Sequence, residues 1–241
     1  SARRTTARIL NASGYNAAMD ILNHVQILAI MVLPVLFAIT VHEAAHGWAA
    51  GYLGDRTARM LGRVTLNPLK HIDPVGTVMV PLATFFLTGF LFGWAKPVPV
   101  DVRNLRNPRR DMALVALAGP GANLVMAVLW GLAIQLALAL WNVSPWLAQP
   151  LAYMGAAGVL INVLLMVLNL FPLLPLDGGR VLNALLPRNL ALGFSRLEPY
   201  GLILLVVLLA TGVLGTLLGP LVNLTIGLMP GAGVVREIFM P

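Results

Sequence analysis

"ILNHVQILAIMVLPVLFAITVHEAAHGWAAGYL", residues 21–53, is a mostly apolar stretch long enough to cross a lipid bilayer as one helix. Pro34, Glu43 and three histidines, His24, His42 and His46, interrupt it. A charged side chain at the centre of a membrane helix costs roughly 2.5–3.5 kcal/mol on insertion scales. Ionisable groups in such a place therefore indicate a function and need polar or metal partners elsewhere in the chain.

The composition places the chain in the membrane class. Of its 241 residues, 59% are hydrophobic and only 10% are charged, with a mean hydropathy of +0.85. Soluble domains carry about 25% charged residues. The net charge of +7 comes from short basic clusters beside apolar runs, which the positive-inside rule explains without a nucleic-acid partner. The absence of cysteine excludes disulfides and thiolate metal sites.

Further apolar runs cover 75–95, 112–176 and 199–235. The run 112–176 has room for two or three crossings, and Trp141–Pro145 is its best turn signal. Gly219-Pro220 is predicted to split the last run. We therefore expect an all-α polytopic membrane protein, a bundle of about four to six transmembrane segments. Residues 1–19 are interpreted as a tail, and 20–241 as one membrane-embedded domain.

The basic residues predict the orientation. They follow the first run, follow the second and precede the last, whereas 141–150 has none. Basic loops stay in the cytoplasm, so 141–150 is expected outside. Both ends of 75–95 then lie on one side, which favours a re-entrant or β-like path over 75–101; the alternative is an ordinary span that breaks the charge rule.

His42-Glu43-Ala44-Ala45-His46 is a His-Glu-x-x-His pattern. On a helix, histidines four residues apart share one face and can hold two corners of a tetrahedral zinc site. Glu43 is then close enough to act as a general base on water. The alternative is a group of interfacial polar residues at the helix end.

A catalytic zinc needs a third protein ligand. His24 is about five turns away along the helix, and Asp55, His71 and Asp73 lie in a basic loop. Asp177 is the only charged residue between Asp111 and Arg180, and the predicted topology brings it to the same membrane side as His46. Gly178 and Gly179 allow a close backbone approach or a turn with positive φ. The other interpretations of Asp177 are a helix N-cap and a partner for Arg180.

These motifs together resemble the site-2 protease family of intramembrane zinc metalloproteases. The matching stretches are "HEAAH" at 42–46, "LAGPGAN" at 117–123 and "NLFPLLPLDGG" at 169–179. "GRVTLNPLKHIDPVGT" at 62–77 and "FGWAKPVPVDVRNLRNPRRD" at 92–111 resemble the compact prokaryotic members without PDZ or CBS domains.

The resemblance implies an intramembrane endopeptidase with a Zn2+ cofactor, held by His42, His46 and Asp177. It implies that Glu43 is the general base and that Asn169 assists by stabilising the oxyanion; the other interpretation of Asn169 is helix packing. The implied substrates are membrane-anchored regulators, such as anti-sigma factors or transcription factors, or remnant signal peptides. The implied location is the prokaryotic cell membrane, with the active site near its cytoplasmic side.

"KPVPVD", residues 96–101, is a candidate substrate-binding segment. In an extended strand, Pro97 and Pro99 leave one edge without N–H donors, whereas Val98 and Val100 offer donors on the other. We predict that Lys96, Val98 and Val100 receive an unwound substrate by β-strand addition. The alternative is a rigid cytoplasmic loop.

Two other functions fit the same residues. In a metal transporter, the histidines and Asp177 would form a transit site. The second alternative is a catalytically silent membrane scaffold, which is not expected to bind metal in a stoichiometric amount. Only the protease needs Glu43 as a base.

Overall fold

The computed structural model describes residues 17–80, 93 and 95–240. The described residues form helices and contain no β-strand, so the protein is an all-α membrane protein, as predicted. The helices are α1 (Ala17–Tyr52), α2 (Thr57–Met60), α3 (Pro108–Leu140), α4 (Pro145–Asn169), α5 (Asp177–Leu185), α6 (Arg188–Ser195), α7 (Glu198–Ala210), α8 (Val213–Leu228) and α9 (Ala232–Phe239).

Two of the helices in the described ranges, α3 and α4, are long and apolar enough to cross a membrane. A third span exists if α6 and α7, which are bent by 65° at their junction, count as one. The predicted turn is confirmed, because α3 ends at Leu140 and α4 begins at Pro145. The total of four to six segments stays a prediction.

The prediction that Gly219-Pro220 splits the last run is wrong. Helix α8 continues through Pro220. The chain breaks instead at Gly212 and Gly231, whose φ angles of 74° and 77° lie in the left-handed region that glycine adopts without steric cost.

The path predicted for 75–101 is described only at its ends. A short π-helical segment spans Pro74–Met79, and 95–101 has no regular secondary structure. Residues 81–92 and Trp94, and with them most of the predicted re-entrant path, lie outside the described residues.

The chain forms two compact units. The first contains the end of α3, most of α4 and the helices α8 and α9, around a core of small and branched side chains: Ala127, Ile134, Val159, Val163, Ile226 and Val235. Two fully buried amides lie in this unit. Asn123 donates to Oδ1 of Asn162 at 2.8 Å, and Asn162 donates to the carbonyl of Gly158 at 2.8 Å.

The second unit comprises 39–122 and 169–207. It contains the end of α1, the described residues between α1 and α3, the start of α3 and helices α5 and α6. Ala50, Leu105 and Val115 form its buried apolar cluster. Every candidate site residue from the sequence belongs to this unit.

Candidate metal centre

Three side chains converge at one point of the second unit. Nε2 of His42 and Nε2 of His46 are 3.1 Å apart, and each lies 3.3 Å from Oδ2 of Asp177. They are the one group of three metal-ligating side chains found within the described part of the chain. The structure thus brings together the two helical histidines and the distant carboxylate selected from the sequence.

The spacing of these atoms fits a zinc ion. Ligand atoms about 2.0–2.1 Å from zinc, at tetrahedral angles, lie roughly 3.3–3.4 Å from one another. The observed triangle of 3.1, 3.3 and 3.3 Å is close to one face of such a tetrahedron. Oδ2 of Asp177 is buried without a hydrogen-bond partner among the described residues, a costly state that a cation relieves.

The orientation of His46 is also right for a ligand. Its Nδ1 lies 2.7 Å from the carbonyl oxygen of Val115 on α3, which can only accept a hydrogen bond. The proton therefore sits on Nδ1, and Nε2 presents its lone pair to the cluster. Metal-binding histidines are commonly fixed in this way by a partner on the other ring nitrogen.

Close backbone packing places Asp177 at the start of α5. A Cβ on Gly178 would overlap the carbonyl oxygen of Leu170, and one on Gly179 would overlap the backbone of Leu174. The predicted close approach of this pair is confirmed, whereas neither glycine has a positive φ. Side chains at these positions would push the first turn of α5, and with it Asp177, away from the preceding loop.

Gly119 on α3 lies in "LAGPGAN", and its contact with the candidate ligands was not predicted from the sequence. A Cβ there would overlap Nε2 of His46 and lie 2.6 Å from Cε1 of His42. The imidazoles thus occupy the space that a side chain at 119 would need. The Gly-Pro pair in "LAGPGAN" was the available signal, but one sequence does not show which face the glycine occupies.

Glu43 and Asn169 line the same cavity, of about 130 Å³, as the three candidate ligands. Pro97, Val98 and Val100 form part of its wall, as does Arg180. Lys96 is exposed and is not among the described lining residues. The cavity is large enough for water beside the metal centre.

The carboxylate of Glu43 is held by the segment 96–101, which we call the covering segment. The Val98 N–H donates to Oε2 of Glu43 at 2.8 Å. At the start of this segment, the Lys96 N–H donates to the carbonyl of His71 at 2.9 Å, and Arg63 donates to the carbonyl of Lys96 at 2.8 Å. The contact between Val98 and the candidate base was not predicted from the sequence.

The loop residues rejected as ligands have other partners. His71 is buried, and its Nε2 lies 3.0 Å from the carbonyl oxygen of Thr65. Asp73 accepts hydrogen bonds from the Val75 and Gly76 N–H groups at the start of the π-helical segment. Asp55 accepts from Thr57, Asp101 and Asn104. Burial opposes ionisation of Asp55, but these hydrogen bonds outweigh it and lower the pKa of its carboxyl group.

The sequence is similar to bacterial proteins with zinc metalloprotease names. It is 35% identical over 195 residues to "Putative zinc metalloprotease YwhC" of Bacillus subtilis, covering 80% of this chain and 85% of that protein. It is 30% identical over 196 residues to "Putative zinc metalloprotease Rip2" of Mycolicibacterium smegmatis, covering 80% of this chain and 71% of the relative. The chain belongs to this family of zinc metalloproteases.

Rip2 of Mycobacterium tuberculosis is a more distant relative, 29% identical over 177 residues, with 72% of this chain and 63% of the relative covered. No protein-family model and no solved structure matches the chain. Family membership and the His42, His46 and Asp177 cluster together identify a metalloprotease with zinc as its cofactor.

Proposed function

We propose that this metalloprotease is an intramembrane endopeptidase of the compact site-2 type, which hydrolyses peptide bonds within or near transmembrane segments of membrane-anchored proteins. The observation that carries the proposal is the shared cavity: Glu43 lies beside a three-ligand metal centre in a chain with apolar, membrane-length helices. The names of the relatives support a peptidase, and the apolar helices support a site reached from the membrane.

His42, His46 and Asp177 would hold the zinc ion, which would supply Lewis acidity towards a carbonyl and would lower the pKa of water from about 15.7 towards 7. The chain supplies the proton transfers. In the proposed reaction, Oε1 or Oε2 of Glu43 takes a proton from the attacking water and later gives it to the leaving amine. The Val98 N–H, 2.8 Å from Oε2, limits the orientations of this carboxylate before substrate arrives.

Asn169 is the proposed oxyanion donor. It is the last residue of α4 and lines the cavity together with Asp177. A side-chain amide that donates to the developing oxyanion contributes most when it is fixed before the reaction.

The covering segment is the proposed binding edge for unwound substrate. Its Val98 N–H is used by Glu43, whereas the Val100 N–H has no partner within the described residues. Val100 is therefore the first donor offered to an extended peptide. To pair with the Val98 N–H as well, a substrate carbonyl would have to replace the carboxylate of Glu43 as its acceptor. The carboxylate of Glu43 would then be freed from this hydrogen bond once substrate is bound.

The proposed location is the prokaryotic cytoplasmic membrane, with several crossings and the active site near the cytoplasmic side. The basic loops on either side of the site support this orientation. Membrane-anchored regulators, such as anti-sigma factors or transcription factors, and remnant signal peptides are the proposed substrates, and the lipid bilayer is their common environment.

Glu43→Gln tests the function directly. Purified protein in detergent would be incubated with a single-span substrate, with and without a chelator, and cuts would be mapped by mass spectrometry. We expect cleavage in or near the span by the wild type, and none by Glu43→Gln, which keeps its zinc. Glu198→Gln, a similar change at the start of α7, should cleave normally.

A metal transporter would give a different result. It would show no chelator-sensitive cleavage in either form, and it would move metal across a vesicle membrane. That outcome would replace the protease proposal, because only proteolysis needs Glu43 as a base.

A further inference from the structure

Asp55 is a buried carboxylate outside the metal centre. It lies three residues after the end of α1 and has no solvent exposure. No cation of the described residues pairs with it within 4.0 Å, although basic residues are abundant in this loop. A buried charge without a counter-ion persists only when hydrogen bonds satisfy it.

The hydrogen bonds of Asp55 connect two segments. Oδ1 accepts from the Thr57 N–H at 3.0 Å, from the Thr57 hydroxyl and from Nδ2 of Asn104 at 3.1 Å. Oδ2 accepts from the Asp101 N–H at 2.7 Å. One oxygen thus holds the turn that follows the metal-binding helix, and the other holds the end of the covering segment.

The covering segment is therefore attached at two points beside α1. Val98 is bound to Glu43 within α1, and Asp101 is bound to Asp55 just after it. Three extended residues span at most about 10 Å. With Asp101 fixed, Val98 and Val100 have little freedom to move away from the cavity that they line.

We propose that Asp55 is a positioning residue, which fixes the covering segment against Glu43 and the metal centre so that its Val100 N–H can receive substrate. The expected effect on KM rests on the proposed function. The expected effect on hydrogen exchange of the covering segment does not. Asp55 does not touch the metal ligands. It acts through the backbone of Asp101 and the side chain of Asn104.

Asp55→Asn is the test variant, because it keeps the size of the side chain. An amide has one accepting oxygen, whereas Asp55 uses both oxygens as acceptors, so at least one N–H donor loses its partner. We expect hydrogen–deuterium exchange of the peptide covering 95–104 to rise about tenfold, as for loss of one such bond to a charged group. Exchange in α1 and zinc content should stay unchanged.

The kinetic readout separates positioning from chemistry. KM for a single-span substrate should rise about tenfold while kcat stays within about twofold, because the groups that carry the reaction remain in place. Asp111→Asn is the matched control: it makes the same change at another buried carboxylate, which lies outside the covering segment and accepts one N–H, from Asn107, so that the amide keeps an accepting oxygen for it. It should preserve both exchange and KM.

Asn104→Ala is a second variant, which removes one donor and keeps the buried carboxylate. Its exchange should fall between those of the wild type and Asp55→Asn. Unchanged exchange at 95–104 in both Asp55→Asn and Asn104→Ala would overturn the positioning role. Increased exchange with an unchanged KM would also overturn it, since the segment would then not serve substrate. If the wild type cleaves nothing, the protease proposal fails, and exchange alone still decides whether Asp55 holds the segment.

Discussion

Gly119 lies against the ring of His46 so closely that a β-carbon at position 119 would overlap Nε2 of that imidazole. Helix α3 therefore contributes to the metal centre in two ways, through the carbonyl of Val115 and through a missing side chain. His46 needs the carbonyl of Val115 as its hydrogen-bond acceptor, and both imidazoles need the space that Gly119 leaves.

Gly119→Ala should weaken zinc binding about 10- to 100-fold, the range for changes in groups that orient metal ligands. The added methyl group displaces the imidazoles from their triangle with Asp177. Zinc content after dialysis against a competing chelator measures the effect. Gly121→Ala is the control on the same helix, because its Cβ would meet nothing within 4 Å. Equal zinc retention by the two variants would contradict the role of Gly119.

Gly178→Ala should destabilise the protein by about 1–3 kcal/mol, as overpacking does, and should lower zinc content. The reason is the overlap of the new Cβ with the Leu170 carbonyl, which moves the start of α5 and Asp177. Thermal unfolding and metal analysis report the two effects. Gly193→Ala is the control, because its Cβ would meet nothing within 4 Å. It should change neither the thermal stability nor the zinc content. Normal zinc affinity in Gly178→Ala would show that the turn tolerates the shift.

The stability contributed by Asp55 should depend on pH. Its pKa is lower in the folded state than in the unfolded chain, where it is about 3.9, so ionised Asp55 stabilises the fold above that value. The contribution is lost as pH falls through the folded pKa. The difference in Tm between the wild type and Asp55→Asn should stay constant above about pH 5 and shrink below about pH 4. A constant difference down to pH 3 would be inconsistent with the lowered pKa.

Val98→Pro and Val100→Pro should each reduce cleavage without removing zinc, because proline removes the N–H that we assign to substrate pairing. Val98→Pro also removes the hydrogen bond to Glu43, so its loss should be the greater. Cleavage rates and zinc content measured on the same samples test this. Val102→Pro is the control, since position 102 begins a 3-10 turn, where proline is tolerated. Wild-type rates in both Val98→Pro and Val100→Pro would exclude strand addition at 96–100.

The centre of the candidate site followed from local rules. His42 and His46 share a helix face by spacing alone, and Asp177 stood out because no other charge lies near it in an apolar region. The break at Trp141–Pro145 was equally local. The histidine spacing and the turn are each contained in a few neighbouring residues, whereas the signal for Asp177 is the uncharged stretch between Asp111 and Arg180.

The contacts between distant segments did not follow from the sequence. The hydrogen bond from Val98 to Glu43 joins residues 55 apart, and that from Asp101 to Asp55 joins residues 46 apart. Neither has a periodic or compositional signal. The prediction at Gly219-Pro220 was wrong because proline removes only one hydrogen bond of an apolar helix, and α8 continues past it. The turns form instead at Gly212 and Gly231, which have positive φ.

The hydrogen bond between Asn123 and Asn162 is a polar contact that fixes the register of α3 and α4. Beside it, Trp130 and Ile134 of α3 pack closely against Gly158 and Gly155 of α4. Sliding α3 past α4 by one residue would separate the two amides within an apolar interior, where neither could find water. The polar pair thus adds a penalty against every other alignment, and replacing both asparagines with leucine should leave a folded helix pair whose alignment rests on the glycine contacts alone.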